Sequence, residues 1–312
     1  MNRLLVLAAD AAKYTSLLSA VDLQQLEVVT AVDADSAEAA IDTCNIILGD
    51  PPLLSTMLGS ARNLEWVQSS WAGVDQLCQA GMRRDYVLTG LKDVFGPLIS
   101  EYVMTYLYAF ERQVFTMLDN QARRCWHPLP YRPSKEISLG IVGLGSIGRH
   151  LARTARYFGI QVTGLNRSGR SCEDVERVYT VKNIGEFLEK PDYVVLTLPD
   201  TSDTRHFINT DTLKMMKSSA VLINVGRGSL ICEADLVAAL RSGGIAGAVL
   251  DVFENEPLDR ESPLWQIPNV CITPHNAAAS FPEDVVKIFA DNYQRFVQKR
   301  PLKHLVDFDL GY

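Results

Sequence analysis

Short apolar runs alternate with helix-like stretches along the first hundred residues of the chain. These candidate strands are Leu4–Ala9, Glu27–Val32, Asn45–Leu48, Leu64–Gln68 and Tyr86–Leu88. A second series with the same alternation begins at Ser138, with candidate strands Leu139–Val142, Gln161–Leu165, Tyr193–Leu198, Val221–Val225, Ala246–Val252 and Val270–Thr273. Strands that alternate with helical patterns are typical of βα units in a parallel sheet. The pattern therefore predicts an α/β protein with two domains, each built on an open, doubly wound parallel sheet.

Two other segments have the spacing of amphipathic helices. The first extends from Phe95 to about Arg124, and we expect it to link the two domains. The next residues, 125–136, carry three prolines and predict an extended connector. The second amphipathic segment begins at Pro282 and is expected to return to the first domain. This organisation predicts one domain from residues 1–100 and 282–312, and another from residues 101–281.

Composition and charge narrow the classes of function. Hydrophobic residues make up 47% of the 312 residues and charged residues 21%, as in folded globular proteins. A formal net charge of −7 argues against nucleic acid or an anionic membrane as the main partner, because both attract positive surfaces. The six cysteines show neither a CxxC pair nor zinc-type spacing with histidine, so we predict no metal site. The run Leu4–Ala9 is too short for a secretion signal or membrane span, and we expect a cytoplasmic location.

A glycine motif marks the start of the second domain. The predicted strand SLGIV leads directly into GLGSIG, in which Gly143, Gly145 and Gly148 match GxGxxG, and then into a helical run. In this context the first glycine permits a tight turn, the second admits a pyrophosphate, and the third lets the helix pack on the strand. The N–H groups of Ser146 and Ile147 are expected to bind the phosphates, so the motif predicts a dinucleotide cofactor.

The end of the next strand predicts which dinucleotide is preferred. NAD enzymes usually carry a carboxylate there, but this chain has Asn166, Arg167 and Ser168. Arg167 and Ser168 can bind a 2′-phosphate through charge-assisted hydrogen bonds, which favours NADP(H) over NAD(H). In the alternative interpretation Arg167 is a solvated loop cation and Asn166 binds the ribose of NAD(H).

Three further motifs, INVGRGSL, DVFENEPL and ITPHNAA, each follow a predicted strand. With the glycine loop and the earlier SSWAGVDQL, they resemble the D-isomer-specific 2-hydroxyacid dehydrogenase family over nearly the whole chain. The segments LTGLKDVFGPLISEY and PLKHLVDFDLGY resemble its glyoxylate/hydroxypyruvate reductase branch. The resemblance implies a Rossmann cofactor domain, residues 101–281, inserted in a flavodoxin-like substrate-binding domain. It also implies a small 2-keto acid substrate and a homodimer with its contact around residues 112–136.

Reducing a 2-keto acid requires a cation for the carboxylate, a proton donor for the keto oxygen and a partner that keeps this donor protonated. Arg227, Glu256 and His275 supply these groups. Arg227 is expected to bind the carboxylate and keto oxygen, and His275 to donate the proton. Glu256 is expected to orient the ring of His275 and raise its pKa. The resembling family uses its Arg-Glu-His set in these roles.

The resemblance also implies roles for residues outside this set. The backbone of Trp71, Ala72 and Gly73 is expected to bind the substrate carboxylate from the opposite side. Around the cofactor, Val225 and Asp251 are expected near the nicotinamide, and Pro199 and Thr204 near the adenosine and pyrophosphate. Gly90 stands where many members carry Asn, which leaves the substrate size open. Trp126 and His127 are expected in dimer packing, with a reach into the partner's active site as the alternative. The other histidines, His150, His206 and His304, are expected to be structural or at the surface.

Other functions stay open at this point. Transcriptional corepressors that sense NAD(H) share this fold, but the Arg-Glu-His set favours an enzyme. Formate dehydrogenases typically pair their histidine with Gln, and Glu256 stands here instead. The chain stops at Tyr312, which disfavours a phosphoglycerate dehydrogenase with a regulatory domain. A short phosphoglycerate dehydrogenase-like enzyme and a phosphite-type substrate remain alternatives.

Overall fold

The first series of apolar runs forms a five-stranded parallel sheet in the computed structural model, which describes residues 1–311. Its strands are β1 (Asn2–Leu7), β2 (Leu26–Ala31), β3 (Ile46–Gly49), β4 (Trp66–Ser69) and β5 (Val87–Thr89), in the order β2-β1-β3-β4-β5. The helices between them are α1 (Ala11–Ser19), α2 (Ala34–Ile41) and α3 (Pro51–Met57). This order is the flavodoxin-like one, and the predicted fold class is confirmed.

The segment after this sheet forms two helices, so the prediction of one long helix is wrong. Helix α4 (Phe95–Glu111) and helix α5 (Val114–Ala122) are separated by Gln113, whose φ of +50° is left-handed. A left-handed residue interrupts the hydrogen-bond ladder of a helix. Because apolar residues continue across the break, their spacing alone could not locate it. Beyond α5, residues 125–133 form neither helix nor strand, as predicted for the connector, but its last three residues, Ser134–Glu136, form a short 3-10 helix.

The second series forms a seven-stranded parallel sheet. Its strands are β6 (Ser138–Val142), β7 (Gln161–Leu165), β8 (Arg177–Tyr179), β9 (Tyr193–Leu196), β10 (Val221–Asn224), β11 (Gly247–Leu250) and β12 (Val270–Ile272), in the order β12-β11-β10-β9-β6-β7-β8. The helices are α6 (Ser146–Tyr157), α7 (Ile184–Leu188), α8 (Thr210–Met215) and α9 (Glu233–Arg241). The strand order reverses between β6 and β9, and open sheets of this kind bind ligands at the carboxyl ends of such strands.

The last helix, α10 (Pro282–Val297), packs on the first sheet. The ring of Phe289 stacks on the fully buried Trp66 of β4, with 5.0 Å between the ring centroids. After α10 the chain continues along β5, where the Val306 amide donates to the carbonyl of Leu88 and the Gly90 amide to that of His304. The residues therefore divide into two units, Met1–Val94 with the segment from Ser280 onward, and Phe95–Ala279.

Among the described residues, no helix is both long and apolar enough to cross a membrane.

Candidate active site

The glycine loop joins β6 to α6 with little room for side chains. Gly143 has a φ of +106°, which favours glycine. A Cβ on Gly148 would lie 1.9 Å from the carbonyl oxygen of Gly143, so the helix meets the turn directly. At Gly145, apart from its neighbours along the chain, no atom of the described residues lies within 4 Å of the position of a Cβ. Gly145 therefore leaves room for a ligand to approach the backbone of the turn, which fits the pyrophosphate of a dinucleotide.

The loop after β9 lies beside this turn, at the point where the strand order reverses. The Thr197 hydroxyl donates to the carbonyl of Gly143 at 2.8 Å, and the Thr197 amide donates to that of Val142 at 2.9 Å. Further along, the Thr204 hydroxyl donates to the carbonyl of Pro199 at 2.7 Å. The structure therefore places Pro199 and Thr204 together, in a loop that follows the strand next to the glycine turn.

A tight turn follows β7, at the position expected to select the cofactor. The Asn166 side chain stabilises this turn by accepting from the Gly169 amide at 2.6 Å and donating to the carbonyl of Arg170 at 3.1 Å. Arg167, Ser168 and Arg170 are exposed. Because both ends of the Asn166 amide are used within the turn, the exposed groups beyond it are the ones available to a ligand.

Arg227 lies in the loop after β10, and buried Asn224 at the end of this strand shapes that loop. The Asn224 side chain donates to the carbonyl of Arg227 at 2.8 Å and accepts from the Gly226 amide at 3.1 Å. A Cβ on Gly228 would lie 1.8 Å from the carbonyl carbon of Phe253, so this loop packs tightly on the one that follows β11. Val225, at the start of the loop, is buried.

Glu256 and His275 meet through a hydrogen bond. The Nδ1 atom of His275 lies 2.7 Å from Oε2 of Glu256, and Oε1 of Glu256 accepts from the Phe253 amide at 3.0 Å. The side chains are 55% and 35% exposed, so a substrate can reach them. With Nδ1 turned to Glu256, Nε2 is the ring nitrogen left to hold a transferable proton.

The pKa values of the pair are coupled. The hydrogen bond to Glu256 raises the pKa of His275 above its ordinary value, although partial burial and the charge of Arg227 oppose this. Burial opposes ionisation of Glu256, but the bonds from His275 and the Phe253 amide outweigh it and lower the pKa of Glu256. The charge of Arg227 also lowers the pKa of Glu256. The structure thus brings Arg227, Glu256 and His275 together, and the contact with Glu256 stabilises the imidazolium form of His275.

Asp251 holds the loop that carries His275. This carboxylate is 2% exposed and accepts from the amides of Asn276 at 2.9 Å and Ala277 at 3.0 Å. Its backbone carbonyl accepts from the His275 amide at 2.8 Å. The family resemblance implies a place for Asp251 near the nicotinamide, but it does not indicate this anchoring contact. The available signal is a polar side chain at the end of a buried apolar strand, and Asn224 at the end of β10 carries the same signal.

The loop after β4 contains the residues expected to bind the substrate carboxylate. The Ser69 hydroxyl donates to the carbonyl of Trp71 at 2.8 Å and lies 3.1 Å from its amide nitrogen, which makes a tight turn. Within the described chain, the amides of Ala72 and Gly73 have no hydrogen-bond partner. Their N–H groups are therefore available to an anion.

His206 and Trp126 have surroundings of their own. His206, expected to be structural or at the surface, pairs with Glu254 at 2.7 Å. Trp126 is 98% exposed in the connector, next to His127. Among the residues that the structure describes, no cluster of three or more His, Cys, Asp or Glu side chains could hold a metal ion.

A family model described as D-isomer specific 2-hydroxyacid dehydrogenase, NAD binding domain, matches residues 104–277, which is more than half of the chain. The chain belongs to this family. It is an NAD(P)-dependent oxidoreductase, and the predicted resemblance to the family and to its glyoxylate/hydroxypyruvate reductase branch is confirmed.

Similar proteins support this membership of the 2-hydroxyacid dehydrogenases. Glyoxylate/hydroxypyruvate reductase A of Escherichia fergusonii is 32% identical over 81% of this chain and 83% of its own. A family member from Aeromonas salmonicida has a solved structure with a TM-score of 0.95 and 44% identity, covering 99% of both chains. The NADPH-dependent glyoxylate/hydroxypyruvate reductase of Sinorhizobium meliloti, solved with NADP and sulfate, has a TM-score of 0.90 and 30% identity over 100% of both chains.

The effect of Glu256 on the pKa of His275 can be tested with the substitution Glu256→Gln. Loss of the carboxylate removes the main stabilisation of the imidazolium, so the pKa of His275 should fall. NMR titration of the histidine ring protons measures this, with His275→Gln to assign the signal. Glu254→Gln is the matched control, because Glu254 pairs with His206. An unchanged titration of His275 in Glu256→Gln would show that the pair does not interact.

Proposed function

We propose that the protein reduces a short 2-keto acid, of the glyoxylate or hydroxypyruvate type, to the D-2-hydroxy acid with NADPH. The observation that carries this proposal is the 2.7 Å contact between His275 and Glu256, next to Arg227, in a family NAD binding domain. The names of the Escherichia and Sinorhizobium relatives support the substrate class. When bound, the nicotinamide supplies the hydride that is added to C2 of the keto acid.

His275 acts as the general acid in this proposal. Its Nε2 proton passes to the keto oxygen as negative charge develops there. Glu256 stabilises the protonated ring through Nδ1, so that a larger fraction of His275 holds the proton at a given pH. Since the pKa of His275 is raised, reduction should be fastest below that pKa and should decline as the pH rises through it.

Arg227 binds the substrate carboxylate in this proposal. The guanidinium of Arg227 can bind the carboxylate and the keto oxygen, which stabilises the developing charge. In the first unit, the N–H groups of Ala72 and Gly73, in the loop that also contains Trp71, form a turn that can bind a carboxylate. Their lack of partners within the described chain and the family resemblance support this assignment.

The cofactor site is proposed to prefer NADP(H) and to accept NAD(H). The glycine loop binds the pyrophosphate, and the loop with Pro199 and Thr204 borders it. Arg167 and Ser168, helped by Arg170, bind the 2′-phosphate. The exposed turn after β7, whose Asn166 amide is already used in the turn, supports this preference over an NAD-type ribose contact.

Replacing the proton donor tests the proposed chemistry. His275→Gln should lower kcat for hydroxypyruvate reduction about 10²–10⁴-fold, because the keto oxygen loses its acid. Binding of NADPH, followed by fluorescence titration, should change little. His206→Gln is the matched control, since His206 also pairs with a glutamate but outside the proposed site. Wild-type turnover in His275→Gln would mean that another group supplies the proton.

A second substitution tests the cofactor preference. Arg167→Ala should lower kcat/KM for NADPH roughly 10- to 100-fold, through loss of a charge-assisted contact, and leave kcat/KM for NADH nearly unchanged. Arg177→Ala, at an exposed arginine paired with Glu186, is the control. A wild-type enzyme that uses NADH as well as or better than NADPH would contradict the preference.

We also propose a homodimer formed through α5 and the connector. Helix α5 has no buried residue. Three of its large apolar side chains, Phe115, Met117 and Leu118, are therefore exposed. Trp126 and Tyr131 add exposed aromatic rings in the connector. An exposed set of large apolar residues of this kind is typical of a protein interface. The region coincides with the contact expected at residues 112–136.

Light scattering coupled to gel filtration tests the dimer. The wild-type protein should have twice the monomer mass, and Leu118→Glu should shift it to the monomer, because a carboxylate would be buried at the contact. Val181→Glu is the matched control, since Val181 is similarly exposed at 59% against 57% for Leu118. A wild-type protein that is monomeric at micromolar concentration would contradict the proposal.

A further inference from the structure

A chain of hydrogen bonds leads from α4 to the loop that carries His275. The hydroxyl oxygen of Tyr102 lies 2.6 Å from Oγ1 of Thr273, and the Thr273 hydroxyl donates to Oδ1 of Asp251 at 2.6 Å. Tyr102 belongs to α4, while Thr273 lies 171 residues further along the chain, two positions before His275. Neither hydroxyl belongs to the Arg227, Glu256 and His275 set.

The direction of donation in this chain is fixed. A threonine hydroxyl has one proton, and that of Thr273 is donated to the Asp251 carboxylate. Tyr102 must therefore donate its own proton to Thr273. Burial raises the pKa of Tyr102, so the phenol keeps this proton throughout the neutral range. Both hydroxyls thus point toward the carboxylate of Asp251.

Asp251 connects these two hydroxyls to the loop that carries His275. Its carboxylate accepts two amides of the following loop, and its carbonyl accepts the His275 amide. His275 has a φ of +50°, a left-handed conformation that a residue other than glycine keeps only when its surroundings impose it. The surroundings that impose it are the contacts of Asp251 and Thr273.

The starting point of the chain is rigid. Helix α4 packs closely on α6, where a Cβ on Gly96 would lie 2.8 Å from Cβ of His150. The Ser100 hydroxyl lies 2.9 Å from Nδ1 of the same histidine. The ring of Tyr102 also packs against that of Tyr106, with 4.7 Å between centroids. The Tyr102 hydroxyl is therefore a fixed point relative to the helix that begins at the glycine loop.

We propose that Tyr102 and Thr273 are positioning residues, whose hydroxyls hold Asp251 and thereby keep the His275 ring aimed at Glu256. This inference rests on the proposed function, because it assumes that His275 is the proton donor. Neither hydroxyl takes part in proton transfer to the substrate.

Isosteric substitutions test the proposal. Thr273→Val removes both hydrogen bonds of the hydroxyl without changing its volume, and should lower kcat about tenfold, since a small misplacement of a catalytic group is costly. Tyr102→Phe should lower kcat several-fold. The double variant should lose little more than Thr273→Val, because both changes break the same chain. Thr273→Ser, which keeps the hydroxyl, should restore turnover, and KM for NADPH should change little in all four.

A readout that needs no turnover separates this proposal from the proposed function. The groups that set the charge of His275 are Glu256, Arg227 and Asp251. If the ring drifts from Glu256, the pKa of His275 should fall in Thr273→Val and Tyr102→Phe, and return in Thr273→Ser, as followed by NMR. A wild-type titration of His275 in Thr273→Val would overturn the proposal. A wild-type enzyme inactive on all keto acids would instead contradict the proposed function, and the titration would still test the hydroxyl chain.

Discussion

The hydrogen bond between His275 and Glu256 joins two loops that follow neighbouring strands of the second sheet. An ion pair this exposed contributes little to folding stability. The hydrogen bond instead affects the protonation of His275. It raises the pKa of this ring, and the charge of Arg227 opposes the shift. Reduction of a keto acid requires a proton donor close to a cation. The loops that carry these two groups must therefore hold their positions to within a few tenths of an ångström.

The fold meets this requirement by placing each functional loop at the carboxyl end of a parallel strand. Buried polar side chains then fix these loops. Asn224 holds the loop of Arg227, and Asp251 holds the loop of His275. Glycines that leave no room for a Cβ let neighbouring loops pack directly on each other, as Gly228 does beside Phe253. Because these supports are buried and the functional groups are partly exposed, the site combines rigidity with access for a ligand.

Much of this arrangement can be predicted from the sequence. The features that could not be predicted have physical reasons. Strand alternation predicts both sheets, and the motifs identify the glycine loop and the three charged residues. Strand β8 (Arg177–Tyr179) was not predicted because it is short and begins with an exposed arginine. The helix break at Gln113 leaves no mark in the apolar spacing. The contact of Tyr102 with Thr273 joins distant positions, and only the folded chain brings them together.

The most direct test of the central claim is the steady-state reduction of hydroxypyruvate by the wild-type protein with NADPH, followed by chiral analysis of the product. The account predicts oxidation of NADPH at a rate that falls as the pH rises above the pKa of His275, and formation of the D-hydroxy acid alone. Absence of NADPH oxidation with hydroxypyruvate, glyoxylate and pyruvate, or formation of the L-isomer, would contradict it.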